Sequence, residues 1–273
     1  MNTLRKRPGV VQALGAKALG AFAYAGGMAI LLGAAARWVF RMLFAPGVRF
    51  GREALAVQMV RVGVRSLSIV ALVQLFIGVI LALQMSPPLH SWGQGQLIAD
   101  IIGVAGFRML GPIITGVVLS GFAGASIAAE LGTMVVAEEI EAMQAIALNP
   151  VRYLVVPRML ATLLMMVVLT VFADLMIAVG GYLTAWLVLD YSVYRVYWER
   201  MEAMLQYKDF YTGLVLAGVF GLLIGLIACH EGLKVKGGAE GVGRATTMTV
   251  VNSIVSIVAA ACVFSMIFYV FEL

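Results

Sequence analysis

Long, uninterrupted apolar runs are the feature that most constrains the fold of this chain. A helix needs about 20 apolar residues to cross a bilayer core, and several runs reach or exceed that length. The chain is 62% hydrophobic and 12% charged, whereas soluble domains carry about 25% charged residues. Because the runs are continuous and do not alternate, they favour helices over the strands of a membrane barrel. The sequence therefore predicts an all-α polytopic integral membrane protein.

Five of these runs are predicted to be transmembrane helices. They are Ser66–Met85, Ile98–Ala125, Val156–Leu189, Phe210–Cys229 and Thr246–Phe271. Residues 66–273 are expected to form one membrane domain around these spans. Residues 1–65 are expected to form amphipathic helices in the cytoplasm or at the membrane interface.

The distribution of Lys and Arg predicts the orientation. Basic residues are dense before Ser66 and absent from Ser86–Gln96, and cytoplasmic segments carry the basic excess in membrane proteins. The N-terminus and the Glu130–Arg158 segment are therefore expected in the cytoplasm, and Ser86–Gln96 and Asp190–Asp209 outside. The net charge of +5 is then explained by anionic lipid at the cytoplasmic surface, so we expect no nucleic-acid partner.

Ala18–Ala36 is apolar enough to suggest a sixth span. If it crossed from the cytoplasm, the arginines from Arg37 to Arg65 would be translocated, against the charge bias. The run is also rich in Gly and Ala and has cations on both sides. We predict a helix that lies in the cytoplasmic interface, with its arginines at the lipid headgroups.

An acidic amphipathic stretch lies between the second and third predicted spans. Its apolar positions follow helical spacing; they are Val136, Ile140, Met143 and either Ile146 or Ala147. Glu138, Glu139 and Glu141 mostly face elsewhere. The pattern predicts a short surface helix over about residues 134–148, ended by Asn149-Pro150 because a residue before proline avoids the helical region. From the residues alone, this helix is either a solvated loop helix or an element that receives force from a cytoplasmic partner.

Gly238–Thr246 superficially matches the phosphate-binding pattern G-x-x-x-x-G-K-[ST]. Arg244 stands where that pattern has lysine, Ala245 follows it, and a membrane helix precedes it instead of a strand. A phosphate-binding loop needs the strand–loop–helix context to aim its amides, so we expect no nucleotide binding. We interpret the segment as a tight cytoplasmic loop in which Thr246 or Thr247 caps the last helix. With no metal cluster, cofactor motif or nucleophile–base pair in the sequence, the chain is not expected to be an enzyme.

Two charged residues fall at membrane depth, where charge is costly and usually functional. Arg108 lies in the second predicted span and Asp174 in the third. For Arg108, a contact with a lipid headgroup and a structural salt bridge would both relieve the cost of burial. For Asp174 we expect a polar contact within its helix or to a neighbouring helix.

The sequences of two segments resemble those of a known family. Gly121–Leu160 contains G-F-A-G-A-S-I-A-A-E-L-G-T-M, E-E-I-E-A-M and N-P-V-R-Y-L-V-V-P-R, and Gly237–Ser253 reads G-G-A-E-G-V-G-R-A-T-T-M-T-V-V-N-S. These motifs resemble the MlaE/YrbE family of lipid ABC-transporter permeases, over roughly residues 60 to 270. The resemblance implies that residues 66–273 are a permease domain and that the acidic helix is the coupling helix that docks on an ATPase.

The resemblance also implies partners and a location. Such a permease moves phospholipids between the inner and outer membranes of a double-membrane bacterium, or of an organelle derived from one, and lies in the inner membrane. Its implied partners are a second permease copy in a homodimer, cytoplasmic ABC ATPase subunits, a hexameric ring of MCE-domain proteins and a regulatory STAS-domain protein. ATP hydrolysis would then belong to the separate ATPase. The residues implied in ATPase coupling are Glu130, Glu138, Glu139, Glu141 and Arg152, while Arg244 would touch lipid headgroups or the ATPase.

The resemblance places a lipid in a cavity at the dimer interface, open toward the outside. The matching positions in this chain are Leu81, Pro88, Leu89, Trp92, Arg108, Met109 and Leu216. The chain departs from the family pattern at three ionisable positions: Met109 stands for Glu, Leu216 for Lys and Ala261 for Asp. Since losing one charge of a buried set leaves the others uncompensated, their joint replacement implies a more apolar cavity or core.

Two other functions fit the residues. One is an importer of the same build that carries sterol or fatty acid through an MCE tunnel, which differs only in its cargo. The other is a membrane scaffold that recruits cytoplasmic partners through the acidic helix without transporting anything. A channel is a weaker interpretation, because the spans lack a repeated polar lining.

Overall fold

The computed structural model describes residues 10–44, 51–189 and 191–271, and the regular elements in those ranges are helices. The chain divides into two compact units, Met1–Arg49 and Phe50–Leu273. Hydrocarbon offers no partner for backbone N–H and C=O groups, so a spanning segment must satisfy them internally, as a helix does. The all-α architecture predicted from the apolar runs is confirmed.

In the first unit the structure describes one helix, α1, Val10–Phe44. Its part Phe22–Met42 is long and apolar enough to cross a membrane, although it is the least apolar of the segments that are. The guanidinium of Arg41 lies 5.5 Å from the ring centre of Trp38. Length and composition therefore allow α1 to span, and its position in the interface stays a prediction.

The second unit contains the remaining described helices. They are α2 (Arg52–Met59), α3 (Arg65–Ser91), α4 (Leu97–Ala105), α5 (Gly111–Leu119), α6 (Ala125–Val136), α7 (Glu139–Ala145), α8 (Val156–Leu187), α9 (Tyr191–Arg195), α10 (Tyr197–Met204), α11 (Tyr207–Leu233) and α12 (Gly238–Val270). Three of the four described π-helical segments join successive helices without a break: Val60–Val64, Gly106–Leu110 and Ser120–Gly124. The fourth, Val151–Val155, continues directly into α8 but is separated from α7 by a turn.

Joined in this way, the helices form five long spans besides α1 among the described residues. These are Arg52–Ser91, Leu97–Val136, Val151–Leu187, Tyr207–Leu233 and Gly238–Val270. The long helices are antiparallel in succession, so α7 lies at one end of the bundle and α9 and α10 lie at the other. We call these the α7 end and the α10 end. Each predicted span overlaps one of these long helices. The first, second and fourth lie inside their helices, whereas the third and fifth run past the helix ends at Leu187 and Val270.

Three boundaries differ from the sequence-based expectations. The helix that contains the first span begins at Arg52, so the expected domain boundary after residue 65 falls inside a continuous helix. The expected loop Ser86–Gln96 is mostly helical, because α3 continues through Pro87 and Pro88 to Ser91. The expected loop Gly238–Thr246 is wrong: these residues are the first turns of α12, and Gly237, with φ of 88°, precedes it.

The threonines expected to cap the last helix lie inside it. The hydroxyls of Thr246 and Thr247 both donate to the carbonyl oxygen of Gly243 within α12, at 2.6 and 3.1 Å. Side-chain hydroxyls commonly bond one turn back in this way inside membrane helices. Asp190–Asp209, expected as an outer loop, contains α9 and α10.

Close backbone approach holds α3 against α8. A Cβ on Gly78 would overlap the carbonyl oxygen of Ile177, and a Cβ on Gly180 would overlap that of Leu75. Lipid tails are as apolar as the side chains, so membrane helices associate through such close packing rather than through the hydrophobic effect. The two glycines therefore fix how near these helices lie.

A buried polar side chain, Gln74 of α3, forms hydrogen bonds to α5 in the same part of the bundle. The Nε2 of Gln74 donates to the carbonyl oxygen of Gly111 at 3.0 Å and lies 2.8 Å from the hydroxyl oxygen of Thr115. Asp174, which is 1% exposed, packs its carboxylate against Gly111, where a Cβ would overlap Oδ1. Oδ1 of Asp174 is buried and has no hydrogen-bond partner among the described residues, so the polar contact expected for Asp174 stays a prediction.

Tyr197 anchors the α10 end. It is fully buried among Leu89, Ile98, Ile102 and other core side chains, and its hydroxyl donates to the carbonyl oxygen of Ala178 at 3.1 Å. Burial raises the pKa of the Tyr197 phenol, so it remains a neutral donor. The bond ties α10 to α8 and covers the ends of the long helices.

The topology predicts which cysteines an impermeant thiol reagent reaches from outside. In a background with Cys229 and Cys262 replaced by Ala, we expect Gly15→Cys and Arg41→Cys to stay unlabelled in spheroplasts, because an interfacial helix keeps both ends inside. Ser91→Cys, which lies at the exposed end of α3, should be labelled and serves as the control. Labelling of one end of α1 would show that this helix crosses the membrane.

Candidate functional site

α7 is a short helix between the long helices Leu97–Val136 and Val151–Leu187. Counting from Arg52–Ser91, these are the second and third long helices of the second unit. It covers Glu139–Ala145, a narrower range than the predicted 134–148. Two of its carboxylates, Glu139 and Glu141, lie in the first turn, where the helix N-terminus stabilises negative charge. Ile140 is buried, whereas Glu138, Glu139 and Glu141 are exposed. The structure therefore places three solvent-facing carboxylates at the α7 end.

Left-handed residues mark both ends of α7. Glu138, with φ of 57°, precedes the helix and Ala147, with φ of 61°, follows it. The N–H of Leu148 donates to the carbonyl oxygen of Met143 at 2.9 Å, and that of Ala147 to Gln144 at 3.0 Å, which is the usual helix-terminating pattern with Ala where glycine is common. Such strained residues concentrate at functional segments.

Two details of the predicted helix are wrong. Val136 and Ile146 are 45% and 69% exposed, so the buried face consists of Ile140 with the half-buried Met143. Asn149-Pro150 does not end α7. The Oδ1 of Asn149 instead accepts from the N–H groups of Val151 and Arg152 at 3.0 and 3.3 Å, which caps the start of the next helix.

The remaining residues expected in coupling have different surroundings. Glu130 is partly buried and forms ion pairs with Arg61 and Arg158. The guanidinium of Arg152 lies 5.1 Å from the ring centre of Tyr153. Arg244 is exposed on the second turn of α12. The structure thus groups Glu138, Glu139 and Glu141 on one exposed helix and separates Glu130 from them.

A cavity of about 560 Å³ lies beside α7. Its lining combines α7, the turn after it and the end of α11, and consists of Ile140, Gln144, Ala147, Leu148, Asn149, Pro150, Val151 and Leu233. The exposed carboxylates and this concave, largely apolar surface belong to the same segment. Together they form a surface that a partner protein can contact through charge and through shape.

A larger groove, of about 720 Å³, lies nearer the α10 end. It runs along α4, the π-helical segment Gly106–Leu110 and the start of α5, and is lined by Leu97, Asp100, Ile101, Val104, Ala105, Arg108, Met109, Leu110, Ile113 and Met204. Eight of these ten side chains are apolar. The groove therefore suits the hydrocarbon part of a ligand.

Arg108 connects three helices at this groove. Its Nη1 lies 3.4 Å from Oδ1 of Asp209, and its guanidinium lies 5.7 Å from the ring centre of Phe268. The other carboxylate oxygen of Asp209 accepts from the N–H of Gln206 at 3.1 Å, at the start of α11. Of the two roles weighed for Arg108, the structure shows the salt bridge.

The positions where the chain departs from the family pattern are buried or half-buried. Leu216 and Ala261 are 0% and 5% exposed, and Met109 lines the groove. The Oγ of Ser265 lies 3.4 Å from Sδ of Met109 and 2.9 Å from the carbonyl oxygen of Ala261, so two of the three positions are neighbours. A single charge restored at one of them would have little water around it.

The groove contains only part of the expected lipid-contacting set. Arg108 and Met109 line it, but Leu216 is buried in α11 and Leu89 in the core at the α10 end. Leu81 packs against that same core. Pro88 and Trp92 are exposed at the end of α3.

Sequence reasoning missed Asp209 and Arg61 as the partners of Arg108 and Glu130. Each pair is far apart in the sequence, 101 and 69 residues respectively, so no local pattern signals it. Met204, which lines the groove from α10, was missed for the same reason.

Comparison with known proteins decides the family. The family model described as Permease MlaE matches residues 55–267. The chain belongs to the MlaE permease family. The match begins in α2 and ends in α12, so it includes both α7 and the groove.

The relatives of this chain include proteins from bacteria and a plant. A probable ABC transporter permease protein of Rickettsia felis is 37% identical over 212 residues, which is 78% of this chain and 82% of the relative. A probable ABC transporter permease protein of Synechocystis is 33% identical over 213 residues, which is 77% of this chain and 79% of the relative. Protein TRIGALACTOSYLDIACYLGLYCEROL 1, chloroplastic, of Arabidopsis thaliana is 32% identical over 212 residues, 78% of this chain and 60% of the relative.

The apolar groove predicts the effect of restoring a charge. We expect Met109→Glu to destabilise this permease by about 2 kcal/mol or more, because a carboxylate within the membrane is costly without a partner. The melting temperature in detergent should fall by about 5 °C, while Met109→Leu should leave it nearly unchanged. Equal melting temperatures for the two variants would contradict the apolar surroundings of this position.

Proposed function

We propose that this MlaE-family permease is the transmembrane subunit of an ABC transporter that moves phospholipids between the inner and outer membranes. ATP is hydrolysed in a separate ATPase subunit that docks on α7. The observation that carries the proposal is the acidic segment between two spans, where Glu138, Glu139 and Glu141 all face solvent. Only 12% of the residues in this chain are charged, so three adjacent exposed carboxylates are an unusual concentration of charge.

The groove supports a lipid as the cargo. Its volume of about 720 Å³ and its predominantly apolar lining fit acyl chains, which gain free energy by leaving water. The Arabidopsis relative is named after a glycerolipid. The guanidinium of Arg108 at the groove can attract a phosphate, the group that arginine binds best.

Membership of the family and the two distinct ends of the bundle support the remaining proposed partners. A second permease copy completes the transmembrane core as a homodimer. A hexameric ring of MCE-domain proteins sits at the α10 end, in the outer aqueous compartment, and a STAS-domain protein regulates the ATPase side. This arrangement places the permease in the inner membrane, with the α7 end in the cytoplasm.

Charge reversal on α7 tests the docking of the ATPase. We expect Glu138→Lys with Glu139→Lys to reduce co-purification of the ATPase severalfold, because the charge pattern at a protein interface orients the partners. Both side chains are exposed, so the melting temperature of the permease should not change. The readout is the amount of ATPase recovered with tagged permease at low and at moderate salt.

A matched variant at the other end of the bundle serves as the control. Glu199→Lys with Glu202→Lys makes the same change in charge on exposed residues of α10 and should leave ATPase recovery unchanged. If the two double variants recovered equal amounts of ATPase, α7 would not be the docking helix. If the wild-type permease recovered no ATPase, the proposed function would fail.

The cargo is tested by mass spectrometry of lipids that co-purify with the permease. We expect phospholipid to be retained by the wild type and reduced by Ala105→Trp, which fills the groove from its lining. Ala259→Trp places the same side chain at an exposed position of α12 and should not reduce it. Retention of sterol or fatty acid would favour the alternative importer. A lack of lipid stimulation of ATPase activity in the reconstituted complex would favour the scaffold.

A further inference from the structure

One carboxylate, that of Glu130, binds two arginines from different helices. Its Oε2 accepts from Nη1 of Arg61, and its Oε1 lies 2.9 Å from Nη2 of Arg158. Hydrogen bonds between ionised groups are the strong ones. The side chains of Arg61 and Glu130 are 39% and 32% exposed, and that of Arg158 is 5% exposed. Glu130 therefore joins α6, α8 and the first long helix at one point.

The Arg158–Glu130 pair closes the base of the α7 segment. Glu130 lies in α6, before α7, and Arg158 lies in α8, after it, so residues 131–157 form a loop whose two ends are tied together. A force applied to α7 therefore acts on α6 and α8 as a pair. Without this ion pair, α6 or α8 can move without the other.

Both arginines are connected to π-helical segments. Arg61 lies in the segment Val60–Val64, and Nη1 of Arg158 donates at 2.8 Å to the carbonyl oxygen of Leu154, in the segment Val151–Val155. Single-turn π segments inside helices occur frequently at functional sites. The ion-pair network thus links the base of the α7 segment to irregular turns in the first and third long helices.

Arg158 depends strongly on Glu130. Its side chain is almost fully buried, and its Nε has no hydrogen-bond partner among the residues that the structure describes. Removing the Glu130 carboxylate would leave two arginines near one another and the buried guanidinium of Arg158 without its counter-charge. The resulting loss of folding free energy exceeds what the Arg158–Glu130 ion pair itself contributes to stability. The two ion pairs of Glu130 therefore hold the network in one arrangement.

We propose that Glu130 is a positioning residue that transmits movement of α7 to the first and third long helices. This inference rests on the proposed function, because the movement comes from the docked ATPase. It separates Glu130 from Glu138, Glu139 and Glu141: those three contact the partner, while Glu130 determines what the contact does to the membrane helices.

The test compares Glu130→Gln with the wild type in the purified permease–ATPase complex. The readouts are ATPase recovery, the melting temperature, and the transfer of a fluorescent phosphatidylethanolamine per ATP hydrolysed, measured in vesicles of phosphatidylethanolamine and phosphatidylglycerol. We expect unchanged ATPase recovery and a ratio of transfer to hydrolysis that falls about fivefold or more, the lower end of ordinary coupling between sites. Glu240→Gln, at an exposed acidic position at the start of α12, should retain the wild-type ratio.

A second variant keeps the test decisive if Glu130→Gln folds poorly. Arg61→Gln preserves the Arg158–Glu130 pair and changes a more exposed side chain, and it should lower the ratio in the same direction by interrupting transmission to the first long helix. Combining Arg61→Gln with Glu130→Gln should lower the ratio no further than Glu130→Gln alone.

The outcomes separate the two proposals. A wild-type ratio in a folded Glu130→Gln or Arg61→Gln complex would overturn the transmission role. A parallel loss of ATPase recovery in Glu130→Gln would place Glu130 in the docking surface instead and would also overturn it. Failure of the wild-type permease to bind an ATPase would overturn the proposed function first.

Discussion

The absence of water in the hydrocarbon core governs this protein. A backbone that cannot bond to solvent must bond to itself, so the described spans are helices, and even their irregular turns are π-helical rather than open loops. Because hydrocarbon does not drive helices together, they associate through close contact. Gly78 and Gly180 bring the backbones of α3 and α8 into that contact, and Gln74 donates across it to Gly111.

The same constraint explains where charge is found. A charge in the bundle is costly unless a partner compensates it, and the principal ion pairs described lie toward the two ends of the long helices. Arg108 with Asp209 ties α11 to the groove, and Glu130 with Arg61 and Arg158 ties three helices near α7. In both places the partner comes from a distant part of the chain, so each pair fixes tertiary structure as well as balancing charge.

One long helix connects the groove with the α7 segment. It begins beside the groove as α4, passes through two π-helical segments and ends at Val136, just before α7. Three of the four described π-helical segments contain a residue of the ion-pair network or of the groove: Arg61 and Leu154 belong to the network, and Arg108 lines the groove. An ABC permease must convert a movement at one end into a change at the other. In this chain the π-helical turns and the paired charged residues occur on the same long helices, and these helices run between the two ends of the bundle.

The sequence by itself determined the helical class, the five principal spans, the acidic segment between two of them and the family, because apolar run length and local motifs are properties of consecutive residues. Tertiary structure decided what each charge does. Leu89 and Leu216 belong to the core rather than the groove, and Glu130 pairs with two arginines. Gly238–Thr246 is helical because α12 begins before the apolar run. Which side chains meet depends on how helices far apart in the chain pack in space, and no local pattern records that.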